Sequence, residues 1–461
     1  MTHKIYVVTD LGPGDGGKGG VVRKISHMMR AHTIVKVGGA QGSHGVSTSA
    51  GERFAFSQWG CGTFEGTRTH ISHRMVVSPE GLLNEAEALR YRHGIYDAFG
   101  LLTIDREALC ATPYHGIASR LKELARGNDP RGTIGTGVGE AYRSSKRRPG
   151  SALRAGDLSR PDLRDLLATI REERLHDLDQ IIRQEFLAED REEAEKEIRL
   201  LHDDGFLSYI TGRFEEVAKR AFIVDHDYLE QEILPQDGNI VVESSHGILT
   251  DNRHGFHPHT SALRTLPCFT HAMLRDAGYE GPIVNIGVTR AYQIRHGAGP
   301  MPTADESMAE SLLPGSHKHE NRYQGKVRVG PLDLTLLRYA IEVSGGPTAF
   351  DGLAITWFDQ IRTNGVWHVC NRYRNAENQT FFSPSGTIKV WHGTDAKQRR
   401  HQEALGAHLR NRVPERTSYD VPSDADAETM YSLCANVLEE KLEIPVRMVS
   451  FGPTERDKLC K

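Results

Sequence analysis

Asp10-Leu-Gly-Pro-Gly-Asp-Gly-Gly-Lys-Gly-Gly20 follows a short apolar run, Ile5-Tyr-Val-Val8, and precedes Val21-Val-Arg-Lys-Ile-Ser-His-Met-Met29. The apolar run reads as a buried strand and the segment after it as a helix. A glycine-rich turn between strand and helix offers backbone N–H groups and the positive helix end to an anion, usually phosphate. Lys18 adds a point charge. Asp15 has no use in a bare phosphate cradle, because a carboxylate repels the ligand. It makes sense where it holds Mg²⁺ or takes a proton from a substrate beside the phosphate. The stretch is not a Walker A motif, since no GK[ST] closes it. A plain glycine-rich connection in an α/β sheet has the same composition, so the loop alone leaves both readings open.

Length and composition set the frame for this loop. The 461 residues are enough for one large domain or two to three ordinary ones. Hydrophobic residues make up 38% and charged residues 26%, as in a soluble globular protein. A net charge of −4 gives no basic field for nucleic acid. No apolar run approaches the roughly 20 residues that span a bilayer, and the start lacks a signal-peptide layout. The scattered cysteines Cys61, Cys110, Cys268, Cys370, Cys434 and Cys460 form no CxxC pair, which suits a reducing cytoplasm.

Strand-like runs at 4–9, 33–37, 72–77, 239–243, 283–287 and 351–356 alternate with helical patterns at 17–30, 83–93, 115–126, 259–277 and 332–343. Several of the runs are continuously apolar, as in parallel strands covered on both faces. Residues 160–220 are densely charged, with leucines at helical spacing and no persistent heptad. The last 100 residues show short β runs at 366–372, 388–392 and 446–451 and a helix near 427–440. The expected fold is α/β. A large, mostly parallel central sheet is flanked by helices, with a helical insertion and a smaller C-terminal β-containing portion. The whole chain, 1–461, forms one domain, with 160–220 as a helical subdomain within it.

Two further glycine clusters carry chemistry. Gly38-Gly-Ala-Gln-Gly-Ser-His-Gly45 follows the strand at 33–37, and loops at carboxyl ends of parallel strands line one crevice. His44 is then a candidate acid or phosphate donor, although a lone histidine is often structural. Arg131-Gly-Thr-Ile-Gly-Thr-Gly-Val-Gly-Glu-Ala-Tyr142, with the basic run Lys146-Arg-Arg148, suits a phosphate monoester or a solvated turn.

Together the clusters resemble the adenylosuccinate synthetase family. Gly14-Asp-Gly-Gly-Lys-Gly-Gly20 stands where that family has GDEGKGK, the second cluster where it has GGHNAGHT, and Thr133 to Tyr142 where it has TTGRGIGPAY. Leu153-Arg-Ala-Gly-Asp-Leu158, Glu243-Ser-Ser-His-Gly-Ile-Leu249, His254 to Ser261, Arg290 to Thr303, Thr356-Trp-Phe-Asp359 and Ser450-Phe-Gly-Pro453 continue the resemblance in order. It implies a cytoplasmic, homodimeric, GTP- and Mg²⁺-dependent ligase that joins inosinate (IMP) to L-aspartate, giving adenylosuccinate, GDP and phosphate. By the same resemblance Asp15 is the base, His44 the acid, and Lys18 a catalytic cation. Gly14, Gly16, Gly17, Lys18, Gly19, Ser43, His44, Gly45, Asp359, Ser450 and Gly452 would hold GTP, with Asp359 reading guanine. Asp15, Lys18, Gln41, Thr133, Ile134, Arg148, His246 and Thr260 would hold IMP, with Arg148 crossing a dimer interface. Mg²⁺ would take Asp15 and the Ser43 carbonyl.

Departures from the family pattern concentrate in the site. Trp357 replaces a lysine, His246 a glutamine, His296 a valine and Ile134 a threonine. The family's arginine-rich loop for the amino acid becomes Asn321 to Asp333, in which Arg322, Lys326 and Arg328 supply the charge. Two alternatives remain: a ligase of the same chemistry using another purine nucleotide (dGMP or GMP) or another amine, and a non-catalytic nucleotide-binding protein of this fold. The histidine-rich segments 254–259 and 317–319 lack carboxylates at metal-ligand spacing.

Overall fold

The first apolar run is strand β1 (Ile5–Asp10), and it lies near the middle of an eleven-stranded sheet. The computed structural model describes residues 3–316, 322–374, 376 and 378–461. With strands numbered along the chain, the spatial order begins β17 (Lys458–Cys460), β16 (Val446–Ser450), β13 (Gly352–Thr356), β10 (Ile283–Arg290), β1. It continues β9 (Asn239–Gly247), β2 (Ala31–Gly39), β5 (Arg68–Val77), β6 (Leu102–Asp105), β8 (Phe222–Val224), and β7 (Leu109–Cys110) pairs with β5. Among these strands only β16 and β17 pair antiparallel. The large, mostly parallel sheet expected from the sequence is therefore present, and all six apolar runs lie in it.

Those runs are apolar throughout because helices cover both faces. On one face α1 (Lys18–Met28), α2 (Pro79–His93) and α3 (Pro113–Leu124) bury Val22, Leu83 and Ile117 against Ile34, Ile71 and Ile104. On the other, α8 (Pro267–Asp276) buries Met273 and Leu274 against Val7, Val35 and Val242. The segment 160–220 forms α5 (Leu163–Ile182), α6 (Arg191–His202) and α7 (Asp204–Arg220), and its Leu167, Leu201 and Phe214 join the first of these cores.

Of the expected C-terminal β runs, 446–451 is β16 of the large sheet, and 366–372 lies in a second sheet, ordered β11 (Tyr292–His296), β12 (Val327–Asp333), β14 (Val366–Arg374), β15 (Val413–Asp420). It packs with α10 (Leu334–Val343) and α13 (Ala427–Leu442) around Leu337, Trp367 and Leu438.

Several expected elements differ. The helix expected over 259–277 begins only at Pro267. The buried Asp251 carboxylate accepts the Arg253, His254 and Thr265 N–H groups and holds the preceding chain as a loop. The helix expected from 332 begins at Leu334, capped by Asp333, which closes β12 and accepts the Thr335 and Leu336 N–H groups. Residues 388–392 form a single bridge, Phe382 to Ile388, and no strand. Helices α4 (Val138–Arg147), α9 (Glu306–Ser316) and α12 (Asp395–Leu409) and the hairpin β3–β4 (His44–Ser47, Arg53–Phe56) were not legible in the pattern. Residues 317–319 and Asn321 lie outside the described residues. Among the described residues, no helix is long and apolar enough to cross a membrane.

Candidate active site

Parallel strands deliver their following loops to one edge of the sheet. Here β1, β2, β9, β13 and β16 deliver Gly12–Gly17, Gly39–His44, His246, Trp357–Asp359 and Ser450–Gly452. The two glycine loops do not follow neighbouring strands, because β9 lies between β1 and β2. They meet above it nonetheless. A Cβ on Gly19 would stand 2.5 Å from the Gly45 carbonyl oxygen, so glycine is required for the close approach.

Asp10, fully buried, organises the first loop. Its carboxylate accepts the Gly12 and Gly16 N–H groups at 2.8 Å each and pairs with Lys18 Nζ at 3.1 Å. Lys18 Nζ also donates to the His246 carbonyl at 2.8 Å, tying β1 to the end of β9. Next to it stands a second buried charge centre. Glu243 accepts Lys36 Nζ at 2.7 Å and the Cys61 N–H at 3.0 Å, and lies 2.5 Å from His44 Nδ1. Burial pushes the His44 imidazole down to about 4 despite the pull of Glu243, with Lys36 and Lys18 adding to the shift. Burial would raise the Glu243 carboxyl, but Lys36 and His44 hold it well below the usual range. Asp10 and Glu243 are site residues that the sequence reading passed over. Their signal was a carboxylate directly after the apolar run of a central strand, Asp10 closing β1 and Glu243 following Ile240-Val-Val242 in β9.

The loops open into a cavity of about 800 Å³. Gly14, Asp15, Gln41, Thr133, Ile134, His246 and Thr260, all expected site residues, line it. Asp15 Oδ2 lies 3.3 Å from His296 Nε2 at the end of β11, and the Asp15 carbonyl accepts Arg290 Nε at 2.6 Å. Gln41 Nε2 lies 2.6 Å from His246 Nε2, and the other polar atom of each side chain, Gln41 Oε1 and His246 Nδ1, is buried without a partner. Burial pushes His246 down to about 3, so the ring is neutral, with one nitrogen a donor and the other an acceptor. Asp15, His246 and Trp357 hold positive φ, as do only Arg30 and Glu443 among the other described non-glycine residues. Backbone strain is thus collected at the site.

The expected cations are placed differently. Arg148 does not line the cavity; its guanidinium forks onto Asp177 of its own chain at 2.7 and 3.1 Å, whereas Arg143, Lys146 and Arg147 line the wall. Arg322 is turned to Asp190 at 3.1 Å, and Lys326 is exposed and contributes its backbone carbonyl to Gly297 N–H. None of the three cations expected to hold the amino acid lines the cavity; Arg328 comes nearest, donating to the carbonyls of Gly297 and of Gly299, which does line it. Two unforeseen arginines join it. Arg295 is the cross-strand partner of Arg328, and Arg410 reaches His259 Nε2 at 2.7 Å. Like charges opposite one another on a ladder are unfavourable. Burial and the nearby Arg328 and Arg410 push Arg295 down to about 9. Such a cluster is relieved by an anion.

Asp359, Ser450 and Gly452 lie outside the lining of this cavity, at the ends of the paired strands β13 and β16. Trp357 covers Arg290, whose guanidinium is 4.3 Å from the ring centroid. The Asp15 carboxylate and the Ser43 backbone carbonyl are oxygen donors of the kind that Mg²⁺ takes, and the Asp15 side chain is 25% exposed, open to an ion.

A family model for adenylosuccinate synthetase matches residues 7–459. The adenylosuccinate synthetase of Chlorobium chlorochromatii is 28% identical over 445 residues, covering 95% of this chain and 93% of the relative. That of Baumannia cicadellinicola is 26% identical over 450 residues, with 97% and 95% covered. Among solved structures, fully ligated adenylosuccinate synthetase from Plasmodium falciparum aligns with a TM-score of 0.73 at 17% identity, covering 99% of both chains. The succinoaminodeoxyadenylate synthetase of cyanophage S-2L, bound to dGMP and dATP, aligns with a TM-score of 0.56 at 14% identity over 100% of this chain and 96% of that one. These two structures share the fold. The family match runs through every loop of the site, and the chain belongs to the adenylosuccinate synthetase family of ligases.

Proposed function

We propose that this ligase joins IMP to L-aspartate with GTP, in the presence of Mg²⁺, through a 6-phosphoryl intermediate. The observation that carries the reading is Asp15, a carboxylate in a loop otherwise built for anions and facing the large cavity. The 6-oxo group of a purine is a poor leaving group, and phosphorylation makes it a good one. Asp15 takes the N1 proton so that charge develops on O6. Burial keeps His44 neutral, and anionic phosphates beside it raise its proton affinity, so that it becomes a donor to the transferred group, held by Glu243. Lys18 and the glycine amides hold phosphate, Asp359 accepts the N–H edge of guanine, and Ser450 and Gly452 close that end. Asp15 and the Ser43 carbonyl would hold Mg²⁺, which neutralises charge on the phosphates. Arg328, Arg295 and Arg410 receive the carboxylates of the amino acid. Dimerisation through Arg148 rests on the family resemblance alone, because Arg148 is engaged within its own chain.

A second reading keeps the chemistry and changes the purine to a guanylate. His246, a neutral ring beside Gln41 in the cavity lining where the family has a glutamine, is the change that motivates it. A non-catalytic protein would need neither Asp15 nor His44. A screen of purine monophosphates against amino acids, with GTP or ATP and phosphate release as readout, separates the three. Asp15→Asn should lower turnover about 10²–10⁴-fold while nucleotide binding persists. A near-normal rate in that variant would sink the assignment.

A further inference from the structure

Away from the nucleotide cavity, three side chains converge at the far edge of the large sheet. Strand β5 breaks register between its pairs Lys36–Ile71 and Gly38–Met75, so residues 72–74 bulge. The Ser72 hydroxyl, donating to the Lys36 carbonyl at 2.8 Å, bridges the gap in the ladder. A bulge re-aims a side chain, and here His73 meets Asp105, the last residue of β6. His226 enters from the turn after β8. Asp105 is 2% exposed, and its Oδ1 is held by the Glu107 N–H at 2.8 Å. Its Oδ2 faces both imidazoles through the same nitrogen, His226 Nδ1 at 2.8 Å and His73 Nδ1 at 3.6 Å. The rings cross at 74° with centroids 4.6 Å apart.

We propose that His73, Asp105 and His226 bind a first-row transition-metal dication of the zinc class. The three ligand atoms lie within 4.8 Å of one another. Tetrahedral zinc with bonds of about 2.1 Å sets its ligand atoms about 3.4 Å apart, and the two nitrogen–oxygen distances bracket that value. Hydrogen bonding alone explains the cluster less well, because 3.6 Å is too long for a good bond from His73. Two imidazoles and one carboxylate select zinc or cobalt over Mg²⁺, which prefers oxygen. A half-exposed His226 gives the ion an entry path, and solvent completes the coordination. The bound ion ties the β5 bulge to the turn that follows α7 and β8, and so fastens the helical segment to the sheet.

Zinc is titrated into the full chain by calorimetry in excess Mg²⁺, which would fill the proposed site at Asp15, and Co²⁺ is followed by its visible absorption. One equivalent should bind, with a tetrahedral cobalt spectrum and a rise in melting temperature. His73→Ala and His226→Ala should each weaken binding about 10-fold or more and remove the thermal shift, while Asp15→Asn leaves both unchanged. His226→Gln, at a half-exposed position, guards against a folding defect. Saturable binding that survives in the His73→Ala/His226→Ala double variant, or no saturable binding in the wild type, overturns the site.

Discussion

At the scale of single residues, the three-arginine cluster is the chain's clearest unbalanced feature. Arg328 and Arg295 face each other across β11 and β12, and their assigned partners are carbonyl oxygens. Arg328→Ala should raise the KM for the amino acid about 10- to 100-fold, the worth of a hydrogen bond to a charged group, and leave the KM for GTP nearly unchanged. Initial rates with each substrate varied in turn check this; an equal rise in both would place Arg328 elsewhere in the reaction. Arg322, Lys326 and Arg328 are cations of one segment, and the sequence favours Arg328 only through its place two residues before Gly330. What separates them is the carboxylate of Asp190, 132 positions away from Arg322, which spacing cannot reveal.

Among the elements, the contact between α1 and the β2 loop carries a sharper test. Gly19→Ala forces a methyl group against the Gly45 carbonyl. It should cost about 1–3 kcal/mol of stability, read from urea denaturation, and weaken GTP binding in parallel. Unchanged values would mean that the loops part without consequence. The β1 loop was legible because strand, glycines and helix follow one another locally. The central strands were legible for a similar reason, as continuous apolar runs bounded by turns. The second sheet was legible only at β14, the expected run 366–372. Its strand β15 is largely exposed and mixes polar with apolar residues, burying none of Val413, Arg416 or Ser418. Helix α12, which brings Arg399 and Glu403 to the cavity, is too polar to show a periodic face.

For the whole molecule, the buried histidines set the response to acid. Burial pushes His44, His70, His254 and His259 from 6.5 to about 4 and His115 and His246 to about 3. Unfolded imidazoles take up protons that the folded ones refuse, so their contribution is complete above pH 6.5 and is lost as the pH falls toward 4. Burial raises Glu85 to about 7 and Asp333 to about 6, which favours the folded state at low pH, but two carboxyls oppose six imidazoles. The melting temperature should therefore fall steadily from pH 7 to pH 4; a flat profile would contradict the burial of these rings. The order of the sheet has a further result during synthesis. Strand β9 fills the slot between β1 and β2, yet 206 residues separate Gly39 from Ser245, whose hydroxyl donates to the Gly39 carbonyl. A fragment ending at residue 238 should accordingly bind no GTP and should expose apolar surface to a fluorescent dye; tight binding by it would show that the loops assemble without β9. On a ribosome adding roughly 5–20 residues per second, the nascent chain waits about 10–40 s with that slot open. Two apolar strand edges stand bare through the delay, a state that calls for a chaperone to cover them until the missing strand emerges.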